Sequence, residues 1–260
     1  MSASGRITCV LGTAAAALLL MAPAAHADHW GSADPTGDVV GSTWSPEPEP
    51  CGTETPVDAT TEAHTDITRL TVRHSRRAVE ITTHYRDLDP SLEKYLALYV
   101  RSADRGWWVD LDRYRSRNGR WHTMTFMARE PRLPDPDDVE GCGIGIVLFD
   151  VGCRIVSSVD FDADVVSLTI PRRCLRDPRW VRVAAASYRW VDSDDPDNPS
   201  STSFSDLWDG GTELTPWAPP YGPRVHATKG ASYGGGRFAS RATGERRTVV
   251  VRSDGEIARR

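Results

Sequence analysis

Two stretches of this 260-residue chain hold side chains able to do chemistry at a useful spacing. In Trp107-Trp108-Val109-Asp110-Leu111-Asp112, a strand would send successive side chains to opposite sides. Trp107, Val109 and Leu111 then suit a core, and Trp108 shares the other face with two carboxylates. A flat indole for C–H stacking, beside acceptors for hydroxyls, supplies the parts of a sugar site. Trp108, Asp110, Asp112 and Trp121 are therefore the candidate ligand-binding residues. The competing structural reading has Trp108 covered by the lead-in, a loop or a second sheet. The two aspartates stand roughly 7 Å apart along a strand, which lies within the spacing of glycosidase carboxylate pairs. A glycoside hydrolase is thus the enzymatic alternative, although nothing in the neighbouring sequence predicts a raised pKa for either acid.

The second stretch is Asp192-Ser193-Asp194-Asp195-Pro196-Asp197-Asn198. Asp192, Asp194, Asp195 and Asp197 offer the oxygen ligands that Ca2+ takes in sixes to eights, and Asp34 and Asp38 flank another tight turn. A plain solvated acidic loop is the competing reading, because no defined ligand spacing is present. The histidines are scattered; His74 and His84 flank a predicted hairpin without a third zinc ligand. Gly230-Ala231-Ser232-Tyr233-Gly234 matches a nucleophile elbow in letters only. It sits in a glycine-rich linker, with no strand before it, no helix after it and no histidine downstream.

The elements that must position these groups are short β-type runs bounded by turn residues. They cover 67–74, 79–85, 95–100, 107–113, 121–128, 143–149, 153–161, 165–170 and 180–188, and no window holds a helical apolar period. This pattern predicts an all-β chain, an antiparallel β-sandwich or jelly-roll-like fold. Asn118-Gly119 predicts a two-residue turn that pairs 117 with 120. That register puts Thr123 and Thr125 on the Trp108 face, and Phe126 and Ala128 with Trp107. A second hairpin turning at Asp162-Ala163-Asp164 sets Cys153 opposite Cys174, predicting a Cys153–Cys174 cross-strand disulfide and leaving Cys51 to pair with Cys142.

Compartment follows from the N-terminus. Arg6, an apolar stretch from Ile7 to Ala22 and Ala25-His26-Ala27 read as a secretory signal over 1–27, so Asp28 begins the mature chain. Cys9 leaves with the signal; the four remaining cysteines suit two disulfides in an exported protein. Residues 28–61 are expected to form an irregular, extended lead-in rich in Pro, Gly and acids, 62–226 the sandwich, and 227–260 a flexible basic tail in which 248–251 form an edge strand or small hairpin or, equally, stay disordered.

Hydrophobic residues make up 39% of the chain, enough for one full core, and the net charge of −5 argues against a general nucleic-acid binder. Only one long apolar run exists, so the mature form has no membrane span. The charge is uneven: 224–260 carries nine Arg/Lys against three acids, or +6, and 28–223 carries 21 against 33, or −12. A basic tail on an acidic body can hold an anionic cell-wall polymer or a lipid surface, or fold back onto the body.

Ile170-Pro171-Arg172-Arg173-Cys174-Leu175, followed by Pro178-Arg179-Trp180-Val181-Arg182-Val183, resembles a block in a group of small exported proteins of high-G+C Gram-positive bacteria. Asp66-Ile67-Thr68 to Val72-Arg73-His74 is similar to their opening hairpin. The usage of 29 Arg against two Lys fits that coding bias. The resemblance spans about residues 60 to 190 and implies an exported β-sandwich; it brings no activity and no functional residues. The expectation is a monomeric, secreted or wall-associated, non-catalytic β-sandwich. Its expected ligand is an extracellular carbohydrate or cell-wall polymer, with Ca2+ as structural support. A structural or partner-binding wall protein is the other alternative.

Overall fold

A computed structural model describes residues 28–46, 52–131, 146–195, 199–209, 220–228, 248–251 and 257–259. In chain order the strands are β1 (His29–Ala33), β2 (Val40–Ser45), β3 (Thr53–Val57), β4 (Ile67–His74), β5 (Ala78–Tyr85), β6 (Lys94–Arg101), β7 (Gly106–Arg115) and β8 (Trp121–Arg129). They continue as β9 (Ile146–Phe149), β10 (Val156–Asp160), β11 (Val165–Pro171), β12 (Trp180–Asp192), β13 (Ser201–Leu207), β14 (Val225–His226), β15 (Thr248–Val251) and β16 (Ile257–Arg259). A 3-10 turn, Arg172–Leu175, follows β11. Among the described residues, no helix is long and apolar enough to cross a membrane.

The strands form two main antiparallel sheets. The smaller runs β1-β4-β5-β11-β10; the larger runs β3-β2-β13-β12-β6-β7-β8, with β14 paired to β12. Alternation drives their packing. In β4 and β5, Ile67, Leu70, Val72, Val79 and Ile81 are buried, and Leu96, Leu98, Val100, Val109, Leu111, Val181 and Val183 face them from the large sheet in one continuous core. Each of the nine runs read from the sequence contains a strand.

The lead-in does more than extend along the surface. Its residues form β1, which pairs with β4 at one edge of the small sheet, and β2 and β3, which add to β13 at one edge of the large sheet. The chain thus crosses between the sheets at residues 34–39, and Trp30 meets Trp208 edge-on with centroids 5.0 Å apart. These strands and β13 escape an apolar-pattern search because Ser, Thr, Gly and charged residues break up any apolar alternation along them. In the tail, β15 and β16 form a hairpin whose first strand pairs with β9.

Both predicted hairpins exist, and both differ in register. In β7–β8, Trp107 pairs with Arg129 and Arg115 with Trp121, one residue away from the expected ladder. Ser116 N–H donates to Arg120 O and Gly119 N–H to Ser116 O, with Gly119 at φ 79°. That is a three-residue loop with glycine in the left-handed position, rather than the two-residue turn that Asn-Gly suggests. The slip exchanges the faces of β8: Met124, Phe126 and Ala128 lie with Trp108, and Thr123, Thr125 and Trp121 on the other side.

In β10–β11, Val156 pairs with Thr169, two residues from the expected register, so the faces are kept. The Cys153–Cys174 disulfide is present, but it is not a ladder pair. Cys153 precedes β10 and Cys174 sits in the 3-10 turn, which brings it back within a Cα–Cα distance of 5.9 Å. Beside it, the buried Arg172 guanidinium donates to the carbonyls of Arg76, Asp177 and Pro178. Cys51 and Cys142 lie outside the described residues. Because the bond closes a loop of 21-residue separation, Cys153→Ser with Cys174→Ser should lower unfolding stability by about 3 kcal/mol, read from urea denaturation of the oxidised wild type and the variant.

Candidate functional site

The inward commitment of β6, β7 and β12 forces an equally regular set of side chains onto the outer face of the large sheet. Across three strands, Asp112, Tyr95 and Tyr188 form one rung; Asp110, Ala97 and Ala186 the next; Trp108, Tyr99 and Ala184 the third. Small alanines therefore lie between two aromatic rungs. One position beyond Tyr188 on the same face, Trp190 completes a cluster of rings: Tyr95–Tyr188 at 5.6 Å, Tyr95–Trp190 at 5.5 Å and Tyr188–Trp190 at 5.6 Å, the last pair 4° from parallel. Trp190 is 40% exposed, and Tyr95 and Tyr188 are half-buried.

Asp110 is the chemical centre of this face. It is buried between the aromatic rungs and accepts hydrogen bonds from the Trp108 indole N–H and from Tyr95. Burial pushes its carboxyl up to about 7, against the lowering effect of those two donors, with the Asp112 charge adding to the rise. The sequence held no sign of this shift, because the groups that desolvate Asp110 come from separate strands. Burial likewise raises the phenols around it: Tyr188 to about 12, and Tyr95 and Tyr99 well above the ordinary phenol range.

Among the described residues, the Trp108 end of the face is covered. Near Trp108, Tyr221 lies against Arg101, and the Arg182 guanidinium donates to the carbonyls of Tyr221 and Gly222 at 2.7 Å each. Leu148 of β9 packs on Phe126 and Ala128. Trp108 is accordingly half-buried and packed on Tyr99, with ring centroids 5.2 Å apart. Among the described residues the exposed indole on this face is Trp190, which the sequence reading passed over although Ala184, Ala186, Tyr188 and Trp190 share one face at period two.

Trp121 is not part of this face. The one-residue slip in β7–β8 carries it to the opposite side, where its ring lies under the Arg113 guanidinium at 3.8 Å. Asp192, Asp194 and Asp195 are exposed at and beyond the end of β12, and Asp197 lies outside the described residues. His74 and His84 sit near opposite ends of the β4–β5 hairpin, paired with Val79 and Arg69. His74 is buried with Nδ1 3.0 Å from Val225 O, and desolvation holds its pKa down at about 4.

Among the described residues, the acids that come close enough to share an ion are Asp34, Asp38 and Asp206. Asp34 and Asp38 border the turn between β1 and β2, as read from the sequence, and Asp206 arrives from β13. Burial raises Asp34 to about 7 and Asp206 to about 8, and Asp66 nearby is also raised.

Comparison with family models, curated proteins and solved structures finds no match for this chain.

Asp110 gives a direct test of the desolvated face. A carboxyl raised to about 7 in the folded chain keeps a proton that the unfolded chain has released, so stability falls as pH rises from about 4 to 7. Asp110→Asn removes that dependence. Its stability relative to wild type should grow by roughly 4 kcal/mol between pH 4 and pH 8, measured by denaturant unfolding at each pH.

Proposed function

We propose that this is an exported, non-catalytic β-sandwich that binds a neutral extracellular or cell-wall carbohydrate on the Trp190 end of the outer face. The observation that carries the reading is the Trp190, Tyr188 and Tyr95 cluster, an exposed indole stacked nearly parallel on Tyr188 and met edge-on by Tyr95, two half-buried phenols beside Asp112 and Asp110. An exposed indole presents the flat apolar surface on which the C–H face of a pyranose stacks, and carboxylates accept hydrogen bonds from its hydroxyls. Ser201 and Ser203, across the ladder from Asp192 and Trp190, add hydroxyls along the same edge. The acidic body disfavours an anionic polymer at this face; the basic tail is the part suited to hold one. Export is supported by the N-terminal signal pattern and by the Cys153–Cys174 disulfide, which suits an oxidising compartment.

The test is retention of the mature chain on a panel of insoluble polysaccharides and cell-wall preparations, with affinities from depletion isotherms. Trp190→Ala should weaken binding at least tenfold, and Trp121→Ala should leave it unchanged. Absence of retention on every polymer overturns the reading.

The carboxyl of Asp110, held near neutrality, favours one second reading, since a protonated acid near pH 7 suits the general acid of a glycoside hydrolase. Reducing sugar released by wild type and abolished in Asp110→Asn would assign hydrolysis in place of simple binding. Release that persists in the variant, or no release at all, leaves Asp110 without that role.

A further inference from the structure

We infer that Asp34, Asp38 and Asp206 form a binding site for a hard divalent cation, Ca2+, that clamps the two sheets together where the chain crosses between them. One carboxylate oxygen from each lies within 4.8 Å of the others. Oxygens sharing Ca2+ at 2.3–2.6 Å are at most about 5 Å apart, so the spacing fits a common ion. All the ligands are carboxylate oxygens, the donor set that selects Ca2+, Mg2+ or Mn2+ over softer metals. Asp34 follows β1 of the small sheet, Asp38 precedes β2 of the large one, and Asp206 belongs to β13.

A second observation makes this more than a group of acids. Asp34 is 8% exposed and Asp66 beside the group is fully buried, yet Asp34 Oδ2, Asp66 Oδ1 and both oxygens of Asp38 have no hydrogen-bond partner among the described residues. Unpaired buried carboxylate oxygens carry a large desolvation penalty, which a bound cation removes. The other oxygens are already fixed: Asp209 N–H donates to Asp34 Oδ1 at 2.6 Å, Ile67 N–H to an Asp206 oxygen at 2.5 Å, and Gly37 N–H to Asp66 Oδ2 at 2.8 Å. Backbone donors thus orient one oxygen of Asp34 and of Asp66 and leave the other unpaired, as an outer shell does for metal ligands. The neighbouring cations do not fill this role. Arg86 pairs with Asp66 Oδ2 at 3.1 Å, and Lys94 Nζ donates to His64 O and Ser187 Oγ at 2.7 Å each.

The experiment uses the mature chain stripped with EDTA, titrated with CaCl2, and read by thermal unfolding and isothermal calorimetry. Wild type should bind one Ca2+ per chain, with the melting temperature rising by several degrees as the ion is added. Asp38→Asn removes a carboxylate that makes no hydrogen bond among the described residues. The variant should fold, melt no lower than the stripped wild type, and lose the Ca2+-dependent shift with at least tenfold weaker binding. If that variant does not fold, Asp34→Asn serves, since its amide oxygen still accepts from Asp209. No Ca2+ effect on wild type, or an equal effect on the variants, overturns the site.

Discussion

Strands β12, β6 and β7 cannot place successive side chains on one side, and the rest of the molecule depends on that constraint. Their inner residues, Val181, Val183, Leu96, Leu98, Val109 and Leu111, are committed to the core against the small sheet. The intervening residues are then obliged to stand outside: Tyr188, Trp190, Tyr95, Tyr99, Trp108 and Asp110. The aromatic face is therefore a geometric consequence of the core. What makes it distinctive is that this second side is also rich in rings and a carboxylate, so much of it is covered again. Among the described residues, Trp190 at the far end of β12 is an exposed ring on this side.

The same sandwich buries charge at the end where the sheets meet. Lys94 is fully buried, with Nζ 3.5 Å from the centroid of the Tyr85 ring and bonded to His64 O and Ser187 Oγ. Burial pulls its pKa well below the ordinary lysine range, while Asp206 and Glu62 act in the opposite sense. Glu62 in turn pairs with Arg189 at 2.7 Å, and Asp66 with Arg86. Charges taken out of water destabilise unless they are paired and hydrogen-bonded. The acids at the crossing exceed the bases beside them, and that imbalance motivates a bound cation there.

Much of the fold was legible in the sequence. The strands of the core announce themselves because burial on one face imposes apolar alternation, as in Ile67 to His74. The partnership of Cys153 with Cys174 was legible too, since the chain reverses between them at Asp162 to Asp164. Strands β1, β2, β3 and β13 were not. A strand rich in Ser and Thr is held by ladder hydrogen bonds and carries little apolar pattern. The β7–β8 register was misread by one residue because Asn-Gly is compatible with more than one loop length. That single slip assigned Trp121 to the wrong face and made the Trp108 face look more polar than it is.

The sequence by itself determined the class of structure, the alternation that separates Trp107 from Trp108, the acidic body with its basic tail, and the turn bearing Asp34 and Asp38. These properties are local, set by period, composition and turn chemistry within a few residues. Only the tertiary structure decided that Trp190 is an exposed indole, that Asp110 is desolvated to a pKa of about 7, and that Asp206 joins Asp34 and Asp38 from about 170 residues away. Exposure, desolvation and ion coordination depend on which strands become neighbours, and neighbours in a sandwich are set by pairing between distant segments.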